Sequence, residues 1–203
     1  NPVHIARVLS SILLIEAAAI LLCLPVSIIY KEPAGPFLMS AAICLVLYGF
    51  LWFISRKADT TQIPNRDTYL IVTSAWLVIS LAGALPYLIG KTIPSFINAL
   101  FEATSGLTTT GASILTDVES LPRSILFWRS MTHWIGGIGI IVLVILVLPS
   151  LKVTGYQLFS LESSMKEKIH PRAKGVVNRI LLIYVGITLL ETVFHLLGGM
   201  DLF

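Results

Sequence analysis

The chain has 203 residues, of which 56% are hydrophobic and only 12% are charged, and its formal net charge is +3. Because soluble domains carry about 25% charged residues, this composition predicts an integral membrane protein. Walker, GxSxG and dinucleotide-binding motifs do not occur in the sequence, and its histidines and cysteines are scattered. Composition therefore disfavours a soluble enzyme, and membrane topology explains the positive charge without a nucleic-acid partner.

Five apolar stretches are long enough to cross about 30 Å of hydrocarbon as helices. They are Val8–Ile29, Phe37–Ser55, Tyr69–Ile89, Ser124–Pro149 and Ile180–Leu197. Most of the basic residues lie at the N-terminus, between the second and third stretches, and after the fourth. Since cytoplasmic loops carry the excess of Lys and Arg, the N-terminus is predicted to be cytoplasmic. Cys23 and Cys44 fall within spans, where packed thiols are favoured over a disulfide.

The segment between the third and fourth spans must leave the membrane and return on the same side. Ser95–Ser105 predicts a helix of about 16 Å, which crosses half a bilayer and points its negative end at a cation. Gly106 then allows a turn, and Leu107–Ser113 returns as an extended strand. Non-helical backbone at this depth is tolerated only where it lines a water-filled cavity or is buried in protein. The sequence GLTTTGAS from Gly106 to Ser113 therefore predicts an ion selectivity filter, and the alternative is an ordinary polar turn.

The segments FEATSGLTTTGAS and LPRSILFWRSMTHWIGGIGIIVL together resemble the first pore repeat of the bacterial Trk/Ktr potassium-uptake family. The resemblance implies an all-α integral membrane protein, a helix bundle with a potassium-channel-like M1–pore helix–M2 unit and a re-entrant filter loop. Tyr69–Ile89 would be M1, Ser95–Ser105 the pore helix and Ser124–Pro149 M2. The two earlier spans resemble the extra N-terminal pair of the TrkH branch.

The resemblance also implies a division of the chain. Residues 1–66 would hold the N-terminal pair, 67–151 the first pore repeat, 152–179 a basic cytoplasmic connection, and 180–203 the M1 and pore-segment start of an incomplete second repeat. Family members have four repeats, so the chain is expected to be the N-terminal portion of a longer protein. Its partners would then be the remaining pore repeats, a second copy in a homodimer, a cytoplasmic nucleotide-binding TrkA-like subunit, and the lipid of a bacterial inner membrane.

The implied function is that of a pore-forming subunit that passes K⁺ through backbone carbonyls, with K⁺ as the transported ion, no covalently bound cofactor and no enzymatic step. A glycine at position 111 points to potassium, because serine there is associated with sodium preference in related plant transporters. The filter would be formed by Thr109, Thr110, Gly111, Ala112 and Ser113. Filter support is assigned to Glu102, Gly106 and Thr108, with direct ion ligation by Glu102 as the alternative.

Two further carboxylates interrupt apolar spans, and intramembrane charges are functional candidates. Glu16 is predicted to hydrogen-bond between helices, and Glu191 is predicted to pair with His195 one turn later. An alternative function would use these carboxylates in a proton- or sodium-coupled cation symporter. The lack of charge in Tyr69–Ile89 counts against that alternative.

Three features of the fourth span and the segment after it complete the interpretation. Arg129 is predicted to snorkel to the interface or to pair with Asp117 or Glu119. Within the basic stretch from Lys152 to Arg179, Tyr156–Ile169 is a candidate interfacial helix. Regulatory-subunit docking and attraction to anionic lipid explain the charges of the whole stretch equally well. Close helix packing, or alternatively a gating bend, is assigned to Gly136, Gly137 and Gly139.

Overall fold

The computed structural model describes residues 2–56, 65–147 and 169–199, and all regular structure in these ranges is helical. Tyr156–Ile169, the candidate interfacial helix, lies outside the described residues except for its last residue. The helices in chain order are α1 (Pro2–Leu21), α2 (Cys23–Ile29), α3 (Gly35–Ser55), α4 (Asn65–Ile89), α5 (Phe96–Leu107), α6 (Arg123–Val147) and α7 (Ile169–Leu197).

Four helical segments in the described ranges are long and apolar enough to cross a membrane: Pro2–Ile29, Gly35–Ser55, Tyr69–Ile89 and Asn178–Leu197. They confirm four of the five predicted spans. The fifth, Ser124–Pro149, is helical from Arg123 to Val147 but is not among the four. Pro25 lies in the short helix α2, which follows α1 after a one-residue interruption at Leu22.

The chain forms two compact units, residues 1–137 and 138–203. In the second unit, the described side chains of α7 are largely exposed. Glu191 Oε1 and His195 Nε2 lie 3.8 Å apart, which confirms the predicted i, i+4 pair. Both side chains are more than half exposed, so this pair contributes little to stability.

In the first unit, α1 packs against α3 and α4, and α4 packs against α5. The contacts bury Phe37, Tyr87 and Trp128 completely or nearly so. Cys23 and Cys44 are buried free thiols, as predicted. Trp128 ties α6 to α4, because its indole Nε1 donates a hydrogen bond of 3.0 Å to a main-chain carbonyl of α4, that of residue 83.

Glu16 lies on α1 at the junction with α4 and is fully buried. The predicted hydrogen bond to another helix is wrong, because neither carboxylate oxygen has a hydrogen-bond partner in the described part of the chain. Gly83 lies at this junction, where an added methyl group would be 3.4 Å from Glu16 Oε1 and 3.3 Å from a methyl of Leu107. Glu16 is therefore close to the residue that ends α5.

Glycine makes the contact between α5 and α6 possible. A methyl group on Gly136 would overlap the Leu107 carbonyl, and one on Gly106 would overlap the hydroxyl of Thr132. The overlap at Gly136 is with main-chain atoms, which cannot avoid it by a change of side-chain rotamer. The packing interpretation is therefore supported for Gly136, and α6 continues as helix through Gly137 and Gly139.

We expect Gly136→Ala to destabilise the protein by about 1–3 kcal/mol, since overpacking forces backbone shifts. Gly49→Ala in α3 is the matched control, because nothing lies within 4 Å of the added methyl. Alanine there should be neutral or stabilising by up to about 1 kcal/mol, because it favours helix over glycine. Thermal unfolding in detergent measures both, and equal effects of the two substitutions would contradict the packing of Gly136 on Leu107.

Candidate functional site

The site is the exposed loop that follows α5. Helix α5 begins after Ser95, which occupies the N-cap position with extended backbone and accepts the Ala99 N–H at 2.9 Å. It continues to Leu107, two residues beyond the predicted end. Gly106 therefore lies within the helix and does not form the predicted turn. Glycine is required at this position because a side chain would overlap Thr132 of α6.

The turn itself is formed by Thr108, Thr109 and Thr110. The Thr110 N–H donates to the Ser105 carbonyl at 3.0 Å, and the Thr109 N–H donates to the Gly106 carbonyl at 2.9 Å. Thr109 is in the left-handed region, with φ +56°. These two bonds and the left-handed residue form a Schellman helix end, in which glycine is usual. A β-branched residue in this conformation is strained, and such strain concentrates at functional sites.

The hydroxyl groups around the turn are bonded within the protein. Thr108 donates to the Thr104 carbonyl at 2.7 Å, and its oxygen lies 2.8 Å from the hydroxyl of Thr110. Thr109 donates to the Thr108 carbonyl at 2.7 Å. Ser105 donates to the Ala112 carbonyl at 2.5 Å. The hydroxyls therefore fix the shape of the loop, and Ser105 uses one lone pair of a predicted filter carbonyl.

After this turn the backbone is irregular, and residues 109–114 are exposed. The strand predicted over Leu107–Ser113 is wrong in its first residues, because Leu107 is helical and Thr109 has left-handed backbone. Gly111 has φ +77°, and nothing lies within 4 Å of a methyl added there. Glycine at this position is thus required by backbone conformation and not by lack of space.

Glu102 holds the far end of the loop from behind. Its carboxylate is buried and accepts hydrogen bonds from Ser113 Oγ, at 3.1 and 3.0 Å, and from the Ile114 N–H at 3.0 Å. The Ser113 hydroxyl oxygen also accepts the Leu115 N–H at 3.1 Å. A carboxylate with several donors can fix irregular backbone because charge-assisted hydrogen bonds are about twice as strong as neutral ones. This is the contact that the predicted support role requires.

Arg129 of α6 provides the counter-charge for this carboxylate. Its Nε lies 2.7 Å from Glu102 Oε1, and the Glu102 side chain is 1% exposed. The predicted pairing of Arg129 with Asp117 or Glu119 is therefore wrong. Asp117 instead accepts the Ser120 N–H at 3.3 Å. Charged side chains in apolar segments require a partner. The presence of one arginine and one glutamate in neighbouring apolar segments is therefore a feature of the sequence that could have predicted this pair.

The loop offers neutral oxygen atoms as ligands to an ion. Glu102 is neutralised by Arg129, and the exposed residues 109–114 follow the partially negative end of α5. The described residues include no group of three or more His, Cys, Asp or Glu side chains that could hold a metal ion.

Comparison with known proteins identifies close similarities over nearly all of the chain. The family model TrkH, described as cation transport protein, matches residues 36–198. The Trk system potassium uptake protein TrkI of Halomonas elongata is 38% identical over 97% of this chain, and TrkH of Escherichia coli K12 is 36% identical over 98%. These matches cover 40% and 42% of the two relatives, so the chain spans about two-fifths of their length.

The fold also matches a solved structure. The crystal structure of the potassium transporter TrkH from Vibrio parahaemolyticus superposes with a TM-score of 0.84 at 32% sequence identity. The match covers 99% of this chain and 40% of that protein. Together with the apolar helices, it confirms the predicted class, an all-α membrane protein that crosses the bilayer several times.

A double-mutant cycle tests the pair behind the loop. We expect Arg129→Gln to cost about 3–5 kcal/mol of folding free energy, because it leaves a buried carboxylate without its counter-charge. Glu102→Gln combined with Arg129→Gln should be less damaging than the sum of the single changes, with a coupling of about 1–3 kcal/mol.

The matched control is the same cycle on the exposed Glu191–His195 pair, where no measurable coupling is expected. Chemical unfolding in detergent provides all of the free energies. Strictly additive effects at Glu102 and Arg129 would contradict the pairing described above.

Proposed function

The chain belongs to the TrkH family of cation transport proteins, and from this premise we propose that it forms part of the pore of a potassium uptake system. Potassium crosses the membrane through a filter whose ligands on this chain are the carbonyls of Thr109, Thr110, Gly111, Ala112 and Ser113. The observation that carries the proposal is the loop geometry: exposed, irregular backbone fixed from behind by a buried, neutralised carboxylate.

Transport needs no chemical step in this proposal. The membrane potential contributes about 2.3 kcal/mol per charge for each 100 mV, which drives uptake against a concentration ratio of up to about 50-fold. Carbonyl oxygens replace the hydration shell of the ion and release it again, because they bind by dipoles and not by full charges. We therefore infer a transporter and not an enzyme.

The described residues include one such loop, whereas a closed ring of carbonyl ligands requires several. The relatives that it matches are more than twice as long. We propose that further pore repeats supply the other strands, with residues 1–66 as the peripheral helix pair and 67–151 as the first repeat. The same proposal includes a bacterial inner membrane location with the N-terminus in the cytoplasm, a homodimer, and a nucleotide-binding regulatory subunit at the cytoplasmic face.

A coupled symporter is the competing function, and one observation favours it. The Glu16 carboxyl is fully buried without a hydrogen-bond partner in the described ranges, as a proton-binding group would be. Glu191, the other candidate, is exposed in this chain and pairs with His195. Glu16→Gln separates the two functions, because a filter does not need a titratable group at this position.

Gly111→Ser is the decisive substitution for the filter. A side chain at φ +77° costs about 1–2 kcal/mol of backbone energy, so the loop should relax and its carbonyls should shift. We expect an uptake-deficient bacterium that carries the complete gene to grow at low potassium, and the Gly111→Ser variant to lose discrimination against sodium. Growth together with rubidium and sodium uptake measures this.

The control is Gly49→Ser on α3, where a side chain meets nothing within 4 Å and glycine does not have positive φ. It should behave like the parent. If Gly111→Ser also keeps parental selectivity while Glu16→Gln abolishes growth, the filter assignment is wrong and the coupled symporter replaces it.

A further inference from the structure

The outer end of α6 is capped by a residue from the distant connection between α2 and α3. Glu32 Oε1 accepts the Arg123 N–H at 2.7 Å, and Oε2 accepts the Ser124 N–H at 2.8 Å and the Ser124 hydroxyl at 2.5 Å. Glu32 and Arg123 are 91 residues apart in the sequence. The carboxylate also complements the positive end of the helix dipole. The first two amides of α6 are thus satisfied by another part of the fold.

The sequence immediately before α6 cannot do this locally. Pro122 is at the N-cap position and has no side-chain acceptor, although its carbonyl accepts the N–H groups of Ile125 and Leu126, each at 3.0 Å. Ser120, the nearest hydroxyl, donates instead to the carbonyl of Asp117. Helices need acceptors for their first amides. Glu32 therefore supplies what the local sequence lacks.

Glu32 is itself held firmly by the end of α2. Its N–H donates to the Ser27 carbonyl at 2.8 Å, while Lys31, with φ +56°, donates to the Ile28 carbonyl at 3.2 Å. This is the same Schellman helix end that forms the turn after α5. In the opposite direction, the Arg123 guanidinium lies 5.6 Å from the ring centroid of Tyr30, within reach of a cation–π contact. The connection after α2 and the start of α6 are therefore joined by two kinds of contact, the Glu32 hydrogen bonds and the Arg123–Tyr30 contact.

Helix α6 also carries Arg129, which neutralises Glu102 behind the loop. A continuous series of contacts thus runs from Glu32 through α6 to Glu102, and from Glu102 to Ser113. We propose that Glu32 is a positioning residue for the ion-selective loop, through which the N-terminal helix pair fixes the outer end of α6. This inference rests on the proposed function of the loop as a filter.

The test compares Glu32→Ala with Glu119→Gln, which removes an exposed acid from the connection that precedes α6. Hydrogen exchange at residues 123–126 reports the helix start, and the potassium-to-sodium uptake ratio reports the loop. We expect Glu32→Ala to speed exchange about fivefold or more, as loss of a cap does, and to lower the uptake ratio measurably at unchanged expression. Glu119→Gln should change neither.

A second variant separates positioning from simple capping. Pro122→Asp, introduced into the Glu32→Ala protein, supplies a local N-cap without restoring the link to the helix pair. We expect exchange at the helix start to return to the parental rate while the uptake ratio stays low. A ratio that recovers as well would show that Glu32 acts only as a cap, and would overturn the proposal.

The remaining outcomes are also distinct. Parental exchange, or a parental uptake ratio, in Glu32→Ala would overturn this inference and leave the filter assignment intact, provided that Gly111→Ser still loses selectivity. Parental selectivity in Gly111→Ser would overturn the filter assignment and this inference with it.

Discussion

The structure depends on how the polar groups of the irregular backbone after α5 are held in place. In a membrane protein, non-helical backbone is tolerated only where it is buried in protein or lines a water-filled cavity, because an unpaired group in hydrocarbon costs several kcal/mol. Glu102 meets this need at one end of the loop by accepting from Ser113 and Ile114. The Schellman turn meets it at the other end. Between these two fixed points residues 109–114 are exposed, and the Ala112 carbonyl accepts the Ser105 hydroxyl.

A charged carboxylate is costly to bury without a counter-charge, and the helix that supplies the counter-charge must be held in place. Arg129 neutralises Glu102, which removes the penalty of an isolated buried charge. The contacts that hold α6 at this position include the Glu32 cap at its start, the Trp128 hydrogen bond to α4, and the approach of Gly136 to the Leu107 carbonyl. The loop is therefore supported by the packing of the whole first unit.

Two glycines in this region serve different physical purposes. Gly111 is needed for its positive φ, whereas Gly136 has an ordinary helical backbone and is needed because α5 and α6 approach closely. Thr109 takes the left-handed conformation without being glycine, so the turn retains strain that the surrounding hydrogen bonds hold in place. Backbone conformation thus constrains Thr109 and Gly111, whereas close packing constrains Gly136.

The sequence alone determined the features that depend on residues close together in the chain. Span length and hydropathy indicated the membrane helices, and a Thr-rich run after a half-length helix indicated the loop, because these patterns reflect local partition and helix energetics. Tertiary structure decided the pairings. Glu102 meets Arg129 across 27 residues and Glu32 meets α6 across 91, and local patterns cannot rank such partners. Helix α5 ends at Leu107 and not at Ser105, where the sequence had predicted its end. Contact with α6 and the Schellman hydrogen bonds determine where this helix ends, and the low helix propensity of Gly106 does not.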